Sequence, residues 1–525
     1  MAPILNDPGV YIIEDPQPRA AEAQLPDMPA AFIGPCFQIA DQDSVTRTTV
    51  QIDDEIMNNV DTESSITLSY PSLADADNTI DTDSVKLELV KRDGRREEVP
   101  EIVDENEELV TISPSEVTLN LGDNTTGEVY EFFKELNDAW LGKKVDYTVD
   151  EPDWGGLSNA TVHISYRSLR EDLIGRALEV QGARDAQILL GKGNLDNPLG
   201  LAGMIATSMA SSDAHYFVPT EDYITGVGEM TDESTAIGKA LGILEAKQVH
   251  GITALTDNPQ SHQEVLNHCN SLSTIEEKMY RLTWTYRPIP TEEEVMEDMG
   301  LDPLNDEITS IELKQGQVSM LHQYGKSISD ELCRVIYQDF TMEIDGEEVE
   351  VPGYYLAAAY NAFRVSIPSQ QGLTNYPVGG LVKELKYQKG YFKPSQLREL
   401  SEGGIFVVLQ DVPDAPVRAR AQWTTNMLNN TTKQDSLIYA RHDYYYGMIE
   451  TLRPLIGVRN VTDSVLEEID ETLVSYNNGR RNEGLIRGAE IAEILENDDD
   501  ESRVDVIEDV VFPTPLDKIV VRVRY

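Results

Sequence analysis

The stretch TDESTAIGKALGILEAKQVHGITALTDNPQSHQEVLNHCNSLSTIEEKMYRLTWTY, residues 231–286, decides the fold. Thr231-Asp232-Glu233-Ser234 is a cluster of helix-start residues and opens a helix over Ala236–Lys247. Val249–Leu255 is a short apolar strand, Ser261–Leu272 a second helix and Tyr280–Tyr286 a second strand. Helices and strands alternating at this spacing predict helices packed on a sheet, an α/β core. Towards the C-terminus Val335–Tyr337 reads as a strand, and Thr341–Ile344 and Glu347–Val351 as a hairpin turning at Asp345-Gly346. Leu397–Leu400 leads through Gly403-Gly404 into Ile405–Leu409, a buried strand, and Arg418–Trp423 is a further one. Ser436–Ile449 is a long helix. Asp463–Asn477 is another, with Val465, Leu466, Ile469, Leu473 and Tyr476 spaced as its core face. Towards the N-terminus, Ala30-Ala31-Phe32-Ile33-Gly34-Pro35 reads as a short buried strand ending in a turn.

Between Val45 and Arg167 the chain changes character. Short strand-like runs (Thr46–Ile52, Ile66–Tyr70, Val85–Val90, Leu109–Ile112, Val117–Leu121, Thr161–Tyr166) are separated by acidic turns. Asp93-Gly94 marks a tight hairpin, and Tyr130–Leu141 is a helical piece. The segments on either side read as parts of one α/β domain, so this is an insertion. The expected fold is a multi-domain α/β (α+β) protein. Its domains are an arm and proline-rich tether at 1–29, a discontinuous core at 30–44 plus 169–511, a β-rich insert at 45–168, and a strand arm at 512–525.

The 525 residues carry 93 acidic and 42 basic side chains, a net charge of −51. Such a surface repels itself at ordinary salt. In molar salt the Debye length is only about 3 Å and the repulsion is screened. A high-salt source is the leading explanation; a calcium-loaded or merely acidic protein is the alternative. The same charge makes DNA or an anionic membrane a poor partner, since phosphate binding needs clustered cations. Cys36, Cys269 and Cys333 are few and widely spaced, so no disulfide framework is implied. No apolar run approaches the ~18 residues of a membrane span, and no secretion signal is evident at the start. The expected place of synthesis is a cytoplasm.

Chemistry finds little support. The seven histidines form no HExxH motif. His262 and His268 point in different directions on one predicted helix, and His262 and Cys269 are about 10 Å apart along it, too far to share an ion. Gly191-Lys192-Gly193 lacks the remaining residues of a phosphate-binding loop. Neither a nucleophile elbow nor a dinucleotide fingerprint is present. Asp498-Asp499-Asp500 lacks the glycine and spacing of a calcium loop. Neither catalytic residues nor a cofactor is expected.

Both chain ends read as strands with nothing nearby to pair with. In Asp517-Lys518-Ile519-Val520-Val521-Arg522-Val523-Arg524-Tyr525, the residues Ile519, Val521, Val523 and Tyr525 share one face. Val10-Tyr11-Ile12-Ile13 follows the turn formers Asp7-Pro8-Gly9, and a tether with Pro16, Pro18, Pro26 and Pro29 comes next. A lone strand leaves its backbone groups unpaired. Each end therefore either adds to an exposed sheet edge of another subunit or pairs inside its own domain.

Four stretches together resemble the tail sheath proteins of contractile viral tails and related contractile injection machines. Asp7-Pro8-Gly9-Val10-Tyr11-Ile12-Ile13-Glu14, followed by Ala31-Phe32-Ile33-Gly34, is similar to the family's N-terminal arm. Leu190-Gly191 with Asn197-Pro198-Leu199, Ala202 and Ala206 resembles a characteristic start of a helix. Leu397-Arg398-Glu399-Leu400, Gly404-Ile405, Trp423-Thr424-Thr425 and Arg441 match the C-terminal region in order and spacing. Val504–Val511, Pro513, Pro515 and Ile519–Tyr525 resemble the closing arm. Leu356-Ala357-Ala358-Ala359-Tyr360-Asn361 departs from the glycine-rich segment that sheaths often carry there.

The resemblance implies stacked, hexameric rings around an inner tail tube, contraction that drives the tube through a host envelope, and contacts to baseplate and tail terminator proteins. It places the chain in the tail of a virion assembled in a host cytoplasm, with the insert outermost. It also implies that arms of neighbours add strands to a hairpin in a third subunit. In that setting the expected lacing residues are Val10, Tyr11, Ile12, Ile13, Ile519, Val521, Val523 and Tyr525. Opposite charges on the two arms, Asp7, Glu14 and Asp15 against Lys518, Arg522 and Arg524, would favour correct pairing. An acid-rich α/β enzyme and a non-contractile capsid or baseplate component stay open as alternatives.

Overall fold

The computed structural model describes residues 29–515, apart from 46, 53–59, 68–79, 91–95, 99–109, 114–115, 121–127, 147–160, 211–213, 225–231, 275, 305, 388–389 and 498–499. Its centre is a six-stranded sheet. We number its strands in chain order: β1 (Ala30–Pro35), β2 (Leu178–Gln181), β3 (Ala214–Thr220), β4 (Gly251–Ala254), β5 (Leu282–Tyr286) and β6 (Cys333–Ile336). They lie side by side as β2-β3-β1-β4-β5-β6. All neighbours are parallel except β2, which runs antiparallel to β3. The protein is therefore a mixed α/β fold, as the 231–286 alternation predicts.

Parallel sheets are covered on both faces, so their strands are near-continuous apolar runs. Every residue of β1 is buried, and so is every residue of β4, β5 and β6. Right-handed connections assign the helices to the two faces. The chain steps one way from β1 to β3, with α1 (Pro198–Met209) on that path. It then steps the other way through β4, β5 and β6, crossing by α2 (Glu233–Leu244), α3 (Pro259–Leu272) and α4 (Ser310–Ile328). A further helix, α5 (Gly353–Val365), packs against α1 and over β4, β5 and β6.

Local chemistry explains several of these elements. Asp232 caps α2, its carboxylate accepting from the Thr235 N–H at 3.1 Å. Asn197 caps α1 and is buried with its polar groups satisfied. Its Oδ1 accepts from the N–H groups of Phe37 (2.8 Å) and Gly200 (3.3 Å), and its Nδ2 donates to Leu190 O (2.7 Å) and Lys192 O (3.0 Å). The Asn-Pro-Leu motif is thus a fastener between α1 and the strand after β1. The Leu356–Asn361 departure lies wholly in α5, whose small residues allow it to lie close on the sheet. Asn361 Nδ2 donates to Thr253 Oγ1 at 3.0 Å, and a Cβ on Gly251 would overlap the Asn361 side chain.

The Asp345-Gly346 hairpin pairs Ile344 with Glu347, and both turn residues have positive φ, 54° and 88°. Two other strand readings need correction. Ile405–Val408 are buried and Leu409 is half-buried, but only Val408–Leu409 forms a ladder, with Arg418 and Ala419. Ile405 bridges singly to Val335, and Phe406 N–H donates to Val335 O at 2.8 Å. Arg418–Trp423 shrinks to Val417–Ala419, with Trp423 bridging singly to Gln434.

Phe37–Val45 and Thr161–Leu169 pair antiparallel along their whole length, so the chain leaves and re-enters the central body on adjacent strands. Ile80–Val90 and Arg96–Glu98 complete that sheet. Arg47–Ile52, Val60–Thr67, Glu116–Asn120 and Val110–Ser113 form a second four-stranded sheet, and Glu128–Leu141 is helical.

Candidate assembly interface

Two helices and a hairpin form the C-terminal part: α6 (Asp435–Leu452), α7 (Asp463–Asn482), β7 (Gly488–Glu496) and β8 (Val504–Val511). The first turn of α6 is fastened inside the core by charge. Asp435 Oδ1 accepts from Arg334 Nε at 2.6 Å. Arg364 Nε lies 2.9 Å from Oδ2, close enough for attraction though not aligned as a hydrogen bond. All three side chains are fully buried. Arg364 also stacks over the Tyr439 ring at 4.0 Å. One turn further on, His442 Nδ1 meets His250 Nε2 at 3.0 Å, and Arg441 pairs with Glu331 at 2.6 Å.

The far half of α6 holds α7 and the hairpin. Gly447 permits the close crossing: a Cβ there would overlap Arg480 and Tyr476. Tyr476 OH donates to Tyr444 O at 2.6 Å, and Tyr444 OH donates to Glu508 Oε2, on β8, at 2.7 Å. Asn477 also donates to Glu508. Burial pushes the Glu508 carboxyl above the usual carboxylate range, although these hydrogen bonds oppose it. Leu473 and Asn477 are the buried residues of α7, whereas the predicted face residues Val465, Leu466 and Ile469 are only half-covered.

The hairpin has two unlike faces. Pairing runs from Gly488↔Val511 to Glu496↔Val504, with a bulge at Ala492 between Ile491 and Glu493. One face carries Ala489, Val510, Ile491, Glu508, Ile494 and Val506; its base packs on Tyr444, Leu485 and Ile486. The other face carries Glu490, Asp509, Glu493, Ile507, Leu495 and Asp505. It is acidic, with Leu495 and Ile507 exposed. Among the described residues this sheet has two strands, so each strand keeps one edge outside the ladder. A two-stranded ribbon is marginal by itself.

The described residues begin and end near this unit. His250 N–H donates to Pro29 O at 3.0 Å, and His250 in turn touches His442 of α6. At the other end Phe512 packs against Tyr444 of α6, ring centroids 6.3 Å apart. Phe512 thus meets α6 directly, whereas Pro29 is linked to it only through His250. The expected arm residues themselves (Asp7, Val10, Tyr11, Ile12, Ile13, Glu14, Asp15, Lys518, Ile519, Val521, Arg522, Val523, Arg524 and Tyr525) lie outside the described residues.

Among the described residues no His, Cys, Asp and Glu cluster could hold a metal ion, and no helix is long and apolar enough to cross a membrane. His262 Nε2 lies 3.1 Å from Thr256 O, and His268 Nε2 lies 2.6 Å from Arg281 Nη1, so these histidines are satisfied within the core. Burial pushes the thiols of Cys36 and Cys333 up to about 12, and raises Cys269 as well. Such thiols are poor nucleophiles.

No family model matches the sequence, and no curated protein matches it. Similarity is found to solved structures, at TM-scores below 0.5. The helical sheath of the anti-feeding prophage in the contracted state is 11% identical, with 68% of this chain and 90% of that one covered, at a TM-score of 0.49. The sheath complex of the extracellular contractile injection system PVC, also contracted, is 12% identical over 67% and 87%, at 0.48. A sheath tail protein from Desulfitobacterium hafniense is 8% identical over 96% and 100%, at 0.42.

The β7 strand and the His250–His442 contact were not read from the sequence. For the first, Ile491, Ile494 and Leu495 are an apolar signal, but Glu490, Glu493 and Glu496 interrupt it at every third position. For the second, 192 residues separate the partners and no local signal exists.

Proposed function

We propose that this chain is the structural subunit of a contractile tail sheath, polymerising as stacked rings around an inner tube. The observation that carries the reading is the hairpin with open edges, whose C-terminal continuation packs on α6 through Phe512. A strand-forming end that starts there has an acceptor on each neighbouring copy, by addition to a sheet edge. Backbone hydrogen bonds of that kind do not depend on which side chains line the moving surfaces, so bodies can repack while the mesh stays joined. The sequence resemblance to sheath proteins supports the same reading.

In this reading 1–29 and 512–525 are arms, 30–44 plus 169–511 the lattice-forming core and 45–168 an outer domain. Tube, baseplate and tail terminator proteins are the partners, and the assembled tail of a virion is the location. The closing segment suits the hairpin chemically: Lys518, Arg522 and Arg524 alternate with Ile519, Val521 and Val523. Its cations would lie over Glu490, Glu493, Asp505 and Asp509, and its aliphatic side would extend the Ile491–Val506 face. High salt in the source supplies the screening that a −51 subunit needs to stack.

Negative-stain microscopy of the full chain across a salt series tests the reading. Cylinders are expected in molar salt, and deletion of 516–525 should leave folded, soluble subunits that do not elongate. Closed rings that never elongate would point to a non-contractile component. A monodisperse monomer at every salt concentration would overturn the proposal.

A further inference from the structure

The His250–His442 pair has no part in strand addition, yet it sits where the central sheet, the N-terminal segment and α6 meet. His250 precedes β4 and is held on both sides of its backbone, donating to Pro29 O at 3.0 Å and accepting from Leu282 N–H at 2.8 Å. His442 lies on α6, two residues before Tyr444, whose hydroxyl fastens β8. Both imidazoles are buried, 1% and 2% exposed. Tyr439 meets the His250 ring edge-on at 4.3 Å, and Tyr280 stacks on His442 at 5.1 Å.

The surrounding charges leave no place for an added proton. From β6 comes Arg334, from α5 Arg364, from α6 Arg441, and from the segment before β5 Arg281, which contacts His268. The carboxylates are committed: Asp435 to Arg334 and Arg364, Glu331 to Arg441, and Asp443 accepts from Ser369. Tyr280, Tyr439 and Tyr446 complete the lining with neutral phenols. At 3.0 Å only one of the two facing ring nitrogens can carry hydrogen. Burial, reinforced by the arginines, holds both imidazoles well below their ordinary range.

We propose that the His250–His442 pair is an acid-sensitive latch, whose protonation frees α6 and the hairpin mount from the central sheet. The sign follows from linkage. Both rings are neutral when docked and take up protons when undocked, so docking is fully favoured above about pH 6.5 and weakens as pH falls below it. Two protons per opening make the undocking equilibrium rise by up to about 100-fold per pH unit. Glu508 works the other way: its carboxyl is raised in the docked state, so acid does not loosen that contact. The latch regulates the assembly unit proposed above and takes its biological meaning, though not its physics, from that reading.

Hydrogen exchange of the full chain between pH 8 and 5, corrected for intrinsic exchange rates, tests it. Peptides from 435–452 and 488–511 should open with a two-proton dependence, while peptides from β3, β4 and β5 stay protected. His442→Gln should reduce the slope to one proton, and the double variant with His250→Gln should flatten it. If those variants do not fold, the proton number of the unaltered chain decides by itself. Loss of protection in α6 and the sheet together, or a slope near zero, overturns the latch. A chain that shows the two-proton opening but forms no cylinders keeps the latch and loses the sheath reading; cylinders without the opening do the reverse.

Discussion

At the scale of single residues the body depends on buried polar groups that have been given partners. Asp435 is the clearest: removing it would leave two guanidinium groups in the core with their shared charge gone. Breaking a buried ion pair from one side costs about 3–5 kcal/mol. Asp435→Ala should therefore lower unfolding stability by that order in urea titrations, and Asp435→Asn by less, since it keeps a hydrogen-bonding oxygen. Gly251→Ala adds a methyl where Asn361 already lies, and overpacking of this kind costs about 1–3 kcal/mol. Gly251→Ala combined with Asn361→Ala should recover part of that loss in the same titration. Some of this scale was legible beforehand. Asn197-Pro198-Leu199 has the form of a capped helix start, and it is one. The Arg334–Asp435 contact was not legible, because 101 residues separate the partners and only the fold brings them together.

At the scale of elements, local pattern was a good guide where the hydrophobic period was regular. The 231–286 alternation and the Asp345-Gly346 hairpin are read straight off the chain. Strand β7 escaped because its bulge breaks the two-residue period: Ile491 and Ile494 share a face although three positions apart, a spacing that mimics a helix. Ile405–Leu409 looked like a full strand because burial selects apolar residues whether or not a ladder forms. The N-terminal half of α7 shows the converse, since Val465, Leu466 and Ile469 have helical spacing but are only half-covered. The hairpin mount gives a prediction of its own. Tyr444→Phe removes a hydrogen bond to a carboxylate, worth about 1.5–3 kcal/mol. Exchange within 488–511 should quicken in that variant while the central sheet keeps its protection.

Across the whole molecule, charge and buried histidines set the working conditions. With a net charge of −51, stability should climb with salt most steeply up to about 1 M, where the Debye length is already near 3 Å. A melting temperature indifferent to salt between about 0.1 and 2 M, a range over which the Debye length falls from about 10 Å to below about 3 Å, would contradict that account. Acid should act separately. Burial lowers His215, His262 and His268 to about 4, and holds His250 and His442 well below their ordinary range. Each is neutral when folded and takes a proton when unfolded near its ordinary pKa. Stability is therefore complete above about pH 6.5 and declines as pH falls towards 4. Thermal melts at pH 7.5, 6 and 5 in constant molar salt should show the decline before the carboxylates titrate.

The packing of Phe512 on α6 has a mechanical consequence. A pull on the N-terminal side enters the central sheet directly, because Pro29 is bonded to Ala30 of β1, whereas one on the C-terminal side enters β8 and reaches α6 through Phe512 and Tyr444. Tension between the two ends would therefore cross the contacts between α6 and the sheet, the buried Arg334–Asp435 pair among them.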